Sequence, residues 1–261
     1  YTCHRGDTRP KVVPSLTVQY SLPVEDPNDV DLSVQTGIPG MPTVDQVFDK
    51  YIQALGGAQR VNSITSYLGK GTYSGYDTDL QKVPVESFAK APNQRTTLVT
   101  LGIGQSLRVF DGRNAWVAAA DKPLPLMTLT GGNLDGARTE AVATFPGRIK
   151  QSFSQWKVGE ATIEDRTVQI AQGSNAGALP VNFYFDKDSG LLLRIVRLVD
   201  TAIGMVPTQI EYTDYRDVSG VKWPHKIVST WTDGQTTTEL TGVQTNVAID
   251  ATRFNRPAPA P

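Results

Sequence analysis

Apolar side chains between Thr43 and Gly57 recur every three or four positions, as they do on one face of an amphipathic helix. Thr43 and Gln46 form the polar pair of a capping box at its start. At its end, Gly56 and Gly57 can adopt the positive φ that terminates many helices. We therefore expect one helix, packed on a sheet through Val47, Phe48, Tyr51, Ile52 and Leu55.

After this helix the period changes to two, the spacing of half-buried β-strands. About eleven strand-like segments follow up to residue 249, and one of them is ATIEDRTVQIAQ at 161–172. Tight turn signals such as Asp111-Gly112 separate most segments. Strands joined so closely pair antiparallel, because a parallel crossover needs about a dozen residues or more.

Residues 124–155 are too many for a hairpin and predict helical turns around Ala137–Phe145 and Gly147–Phe153, broken at Pro146.

Residues 1–40 are proline-rich and predict an extended tether. Residues 41–255 then form one domain, and 256–261 a disordered Pro/Ala tail.

These elements predict a mainly β fold with a few helices. So many strands with a right-handed twist form a strongly curved antiparallel sheet, which we expect to be an incomplete half-barrel. The amphipathic helix and the helical insertion would plug its concave face.

The alternation in LPVNFYFD separates Val181, Phe183 and Phe185 from the polar neighbours between them. A groove on this sheet would be apolar, although the pattern leaves open which strand face is concave. We expect large side chains, Trp156 among them, to fill much of it. The candidate groove residues are Val181, Phe183, Phe185, Leu191, Leu193 and Ile195.

Catalytic motifs are absent from the sequence, which has no G-x-S-x-G, H-E-x-x-H or Walker pattern and only two histidines. His225 lies in a strand-like segment and is interpreted as a surface or edge-strand residue. The glycines at 102 and 104 fit a hairpin turn, and Asp186 to Gly190 fits a turn with a glycine bulge. We expect no enzymatic activity.

Charge and hydropathy give no sign of a nucleic-acid-binding protein or of a membrane-spanning helix. The net charge is −1, so no global electrostatic attraction to nucleic acid is expected. No apolar run approaches the roughly 18–20 residues of a membrane-spanning helix.

The chain begins YTCHRG and uses cysteine only at Cys3, next to His4. This matches a C-x-x-C-H haem attachment motif from its second residue onward, in which thiols bind the haem and the histidine ligates iron. We expect the missing first cysteine to precede Tyr1. Followed by a Pro-rich tether, the phrase resembles the last haem motif of photosynthetic reaction-centre cytochrome c subunits. That resemblance implies haem c in a parent protein, with Cys3 as attachment site and His4 as axial ligand.

Residues 41–255 resemble the LolA/LolB-like superfamily of outer-membrane lipoprotein-sorting proteins. The resemblance lies in VFDKYIQALGGAQRVNSITSYLGKGTY, RVFDGRNAWV, NFYFDKDSGLLLRI and EYTDYRDVSGVKWPHKI. It implies an incomplete antiparallel barrel closed by a helical lid around an apolar groove.

Two functions follow from these resemblances. The first is a non-catalytic C-terminal module of an exported c-type cytochrome, whose haem domain transfers electrons to a redox partner protein or membrane complex while the module serves as a docking platform. The alternative is a periplasmic carrier that binds the acyl chains of lipids or lipoproteins in the groove. Both place the protein in the periplasm or on the outer side of the membrane.

Overall fold

The computed structural model describes residues 39–260, apart from 121, 123, 202, 203 and 233. Almost all of the expected tether, 1–40, lies outside these described residues. The helices found in the described part are α1 (Val44–Leu55), α2 (Ala58–Asn62) and α3 (Gly131–Ala143). The strands are β1 (Ser66–Gly75), β2 (Val83–Lys90), β3 (Gln94–Leu101), β4 (Gly104–Phe110), β5 (Ala115–Ala119), β6 (Met127–Leu129), β7 (Gln155–Ile163), β8 (Arg166–Ser174), β9 (Val181–Asp186), β10 (Leu192–Thr201), β11 (Gly204–Val218), β12 (Val221–Trp231) and β13 (Gly234–Thr245).

These strands form one sheet in the order β6-β5-β4-β3-β2-β1-β13-β12-β11-β10-β9-β8-β7. The chain thus makes two meanders, β1 to β6 and β7 to β13, which meet where β1 neighbours β13. The strand registers are antiparallel, and the order does not return to its start. A mainly β fold with an antiparallel sheet that is not closed into a barrel confirms the predicted fold class.

The segment ATIEDRTVQIAQ is not one strand, because it contains the turn between β7 and β8. Glu164 and Asp165 have φ of 47° and 63°, which both central residues of a type I′ hairpin turn require. Neither residue is the glycine that usually marks this turn, so the hairpin gives no composition signal. The short strand β6 inside 124–155 was also not predicted.

Helix α1 forms as its local sequence predicts. The Gln46 amide donates to Thr43 Oγ1 at 3.2 Å, and the Thr43 amide donates to Gln46 Oε1 at 2.8 Å, which completes the capping box. The helix ends at Gly56, whose φ is 130°. A Cβ at Gly56 would lie 2.1 Å from the Gly220 carbonyl oxygen, so the backbone approaches too closely there for another residue.

The insertion after β6 contains helix α3, which begins at Gly131, earlier than predicted. Two short 3-10 turns follow at Pro146–Arg148 and Lys150–Ser152, so the predicted break at Pro146 is present. Helix α3 packs against β3 and β4. Its Ala137 and Ala141 contact Phe110 of β4 in a small core.

The described chain divides into two compact units. One contains the residues up to Ala54, Phe153–Tyr212 and Val228–Thr236, and the other contains Leu55–Ser152, Thr213–Ile227 and the residues from Thr237 onward. In the second unit the expected disordered tail has at least one fixed contact, since the Ala260 amide donates to the Pro125 carbonyl at 2.9 Å.

Candidate functional site

One face of the first unit is lined mainly by apolar side chains of β8, β9 and β10, with Gln169 and buried Arg197 as polar exceptions. Phe183 pairs with Ala171 on one side and Ile195 on the other, and Phe185 pairs with Leu192. Residues directly opposite each other in antiparallel strands project to the same face. Each of these five apolar side chains is at most 2% exposed.

A β-bulge decides which β10 residues join this face. The pairing with β9 shifts between Leu192 and Arg194, so Leu193 is an extra residue in β10. Because side chains alternate along a strand, the extra residue moves Leu192 onto the face of Ile195. Leu191 and Leu193, expected in the groove, are instead only half-buried, whereas Val181 is buried as expected.

Helix α1 covers the apolar face with two aromatic rings. The centroid of the Phe48 ring lies 5.0 Å from that of Trp156 and 5.5 Å from that of Phe185, both in edge-to-face geometry. The Tyr51 ring lies 5.0 Å from Phe185. Of the helix residues expected to pack on the sheet, Val47, Phe48, Tyr51 and Leu55 are buried, whereas Ile52 is half-buried.

Phe153 and Trp156 stand at the margin of this face and are half-buried. The Phe153 ring centroid lies 5.1 Å from that of Trp156 and 5.6 Å from that of Phe183. Gly173, opposite Trp156 in the β7–β8 register, leaves room for both rings. We name the six linked rings the aromatic cluster: Phe48, Tyr51, Phe153, Trp156, Phe183 and Phe185.

The chemistry of the aromatic cluster is apolar. Burial, with a smaller effect of Tyr212, raises the pKa of the Tyr51 hydroxyl, so this group stays neutral at physiological pH. Such a surface can bind methylene chains by excluding water but offers no acid, base or nucleophile. In this structure the rings of α1 occupy the space above the sheet, in line with the expected filling.

The opposite face of the same strands carries a group of hydrogen-bonded polar side chains beside buried aliphatic ones such as Val168 and Val196. Gln172 Nε2 donates to Asn182 Oδ1 at 2.8 Å, and the Asn182 amide nitrogen lies 3.3 Å from the Tyr184 hydroxyl. Arg194 forms an ion pair with Glu211 at 2.8 Å. The expected separation of apolar and polar residues in LPVNFYFD is therefore present.

His225 is buried, which corrects its interpretation as a surface or edge residue. It lies on β12, which has a neighbour on each side, and it is 5% exposed. It shares its face with Val221 and Trp223, and its Nδ1 lies 2.9 Å from the Trp223 carbonyl oxygen. This contact satisfies a ring nitrogen inside the core.

Within the described residues, no three His, Cys, Asp or Glu side chains lie close enough together to hold a metal ion. No helix in that part of the chain has both the length and the apolar character needed to span a membrane. The haem residues expected from the sequence, Cys3 and His4, lie outside the described range.

Comparison with known proteins gives a fold likeness. No protein-family model matches the chain, and no curated protein matches it. A LolA-superfamily protein from Nitrosomonas europaea superposes with a TM-score of 0.52 at 11% identity, over 82% of this chain and 98% of that one. A DUF1329-family protein from Desulfovibrio piger gives 0.52 at 10% identity, over 81% and 97%. The chain therefore has a fold like that of the LolA-superfamily protein.

Proposed function

We propose that this protein is an exported, non-catalytic carrier that binds the acyl chain of a lipid or lipoprotein at the aromatic cluster. The observation that carries the proposal is the cluster itself, in which two rings of α1 pack against rings at an apolar sheet face. The fold likeness to a LolA-superfamily protein supports it. The sequence phrases that resemble lipoprotein-sorting proteins support it as well.

Binding requires exchange between the rings of α1 and the ligand. Phe48 and Tyr51 bury apolar surface on β9, and an acyl chain in their place would bury similar surface at about 25 cal/mol per Å². An acyl chain would thus offset part of the cost of moving the rings away. A carrier needs compensation of this kind, because a ligand bound far more strongly than the rings of α1 would not be released.

The contacts of α1 suggest how it moves. Besides the rings, Lys50 Nζ donates to the Lys187 carbonyl in the turn between β9 and β10. This polar contact is exposed, so water can replace it at little cost. We infer that α1 shifts away from the strands when a ligand enters.

Titration of the protein with 11-(dansylamino)undecanoic acid tests the carrier proposal. We expect saturable binding at a one-to-one ratio, with energy transfer from tryptophan. Phe48→Ala should bind more tightly because the helix then fills less of the site, and Phe183→Asp should abolish binding. Ile103→Asp, at a side chain 66% exposed in the other unit, is the matched control and should bind as wild type does.

Two results would exclude the carrier function. One is the absence of saturable binding in both the wild type and Phe48→Ala. The other is undiminished binding by a Phe183→Asp variant whose circular dichroism shows it to be folded. Because Phe48→Ala keeps the strands intact, it decides the question even when Phe183→Asp does not fold.

A cytochrome parent is the second candidate, and the phrase YTCHRG favours it. In that case the described residues would dock a redox partner, and haem c would be attached at Cys3 with His4 as axial ligand. The carrier is preferred because its support includes the fold of the described residues.

A further inference from the structure

We propose that the cleft between strands β3–β4 and helix α3 is a binding site for a singly charged oxyanion group, a carboxylate or a phosphodiester. This site lies within the second compact unit, and it is independent of the carrier proposal. A small cavity of about 10 Å³ marks its centre, lined by Arg95, Thr97, Arg108, Phe110, Ala137 and Glu140.

The strand register brings two arginines to the same face. Arg95 pairs with Phe110 and Thr97 pairs with Arg108, so all four side chains project toward α3. Phe110 and Ala137 form the apolar wall behind them. Two guanidinium groups thus converge beneath one helix.

Arg95 is held in place but not fully bonded. Its Nη1 donates to Thr144 Oγ1 at 2.7 Å, and that hydroxyl donates in turn to the Glu140 carbonyl at 3.1 Å. The Nε–H of Arg95 is buried and has no acceptor within the described structure. A buried donor without a partner is unfavourable, and the Nε edge of a guanidinium is suited to two-point binding of an oxyanion.

The charges of the cleft do not balance. Arg95 and Arg108 contribute two positive charges, and Glu140 contributes one negative charge. The Arg108 guanidinium lies 3.3 Å from the Glu140 carboxylate, and both side chains are partly exposed, at 38% and 23%. Such a pair is weak, and it can open to admit a ligand.

The dimensions set the ligand class. As it stands, the cavity holds about one water molecule. Opening of the Arg108–Glu140 pair would make room for one small group with two oxygens. The single excess positive charge favours a group with one negative charge, which a carboxylate and a phosphodiester both have.

The test follows the Arg95 Nε–H resonance by NMR while the protein is titrated with dimethyl phosphate or with acetate. We expect a saturable shift with either anion. Arg95→Lys keeps the charge but loses the two-point edge, so binding should weaken at least tenfold. Glu140→Gln removes the competing carboxylate and should tighten binding several-fold. Arg138→Gln, at an exposed arginine of the same helix paired with Asp135, is the matched control and should change affinity less than twofold.

Dihexanoylphosphatidylglycerol below its micellar concentration separates the two sources of such a group. Tighter binding than dimethyl phosphate would support the site and assign it to a lipid headgroup, whereas equal binding would support a site for a free small anion. The proposal is overturned when chloride at equal ionic strength produces the same shift, when no shift occurs, or when Arg95→Lys binds as well as wild type. If Arg95→Lys does not fold, the shift of the Arg95 Nε–H resonance in the wild type and the anion affinity of Glu140→Gln still decide whether the site exists.

Discussion

Gly173 shows how one residue sets the packing of the aromatic cluster. Its backbone is ordinary strand, so the glycine is required for space and not for its conformational freedom. A Cβ there would lie 2.6 Å from Phe153 Cγ and 2.9 Å from the Trp156 ring. Both rings would have to move.

Gly173→Ala should therefore destabilise the protein by about 1–3 kcal/mol, the usual cost of overpacking. Urea unfolding followed by tryptophan fluorescence measures this change. Gly242→Ala, at a strand glycine with open space around it, is the control and should remain within about 0.5 kcal/mol of wild type. Equal stability of the two variants would show that the rings are not tightly packed.

Asp186 holds the turn that follows β9. Its Oδ1 accepts the Ser189 amide at 2.6 Å, and Gly190 closes the turn with a φ of 76°. Partial burial is the largest single effect and raises the pKa of Asp186, but the hydrogen bonds from Ser189, the charge of Arg166 and the hydrogen bond from the Asp188 amide together hold the pKa below its ordinary value. The charged carboxylate is thus the form that the fold stabilises.

A lowered pKa contributes stability above the unfolded-state pKa, and this contribution is lost as the pH falls through the folded-state pKa. Asp186→Asn should be less stable than wild type at pH 7, and the difference should shrink below about pH 4. Thermal unfolding from pH 7 to pH 2 provides the comparison. Asp188→Asn, at an exposed position in the same turn, is the control for removing a charge there. A stability difference between Asp186→Asn and wild type that stays constant at all pH values would contradict the role of the Asp186 charge.

At the scale of elements, the helix α1 and most strands could be predicted from the sequence because their signals are local. The capping box at Thr43 and the apolar period up to Leu55 lie within the helix itself. The bulge at Leu193 and the turn at Glu164-Asp165 depend on pairing with other strands, so they leave no local signal. The candidate site was accordingly predicted in part: Phe183, Phe185 and Ile195 lie in it, whereas Leu192 replaces Leu191 and Leu193.

The unequal burial of the α1 residues gives a test of its docking. Val47 is 1% exposed, whereas Ile52 is half-buried at the side of the helix. Val47→Asp would place a charge in the core and should destabilise by about 3–5 kcal/mol. Ile52→Asp should destabilise by clearly less, since water can reach the new carboxylate. Equal losses in melting temperature for the two variants would mean that the helix is rotated from its described position.

At the scale of the whole molecule, haem attachment at Cys3 and His4 stays a prediction. Expression of the complete precursor in a host that matures c-type cytochromes allows a test by absorbance and haem staining. Cys3→Ala or His4→Met should lose or alter one haem, while residues 41–255 keep their thermal transition. Unchanged haem spectra in both variants would refute the cytochrome interpretation.

The sheet order ends at β7, and this has a consequence for how the protein behaves at high concentration. An outermost strand offers backbone groups on which a strand of another molecule could add, the usual route to aggregation. Along the nine residues of β7, exposed Lys157 and Glu160 interrupt the apolar positions, and Glu160 is held by Lys187 at 2.8 Å. Charges of this kind disfavour strand addition. The charged side chains of β7 thus protect the open edge of the sheet beside the aromatic cluster.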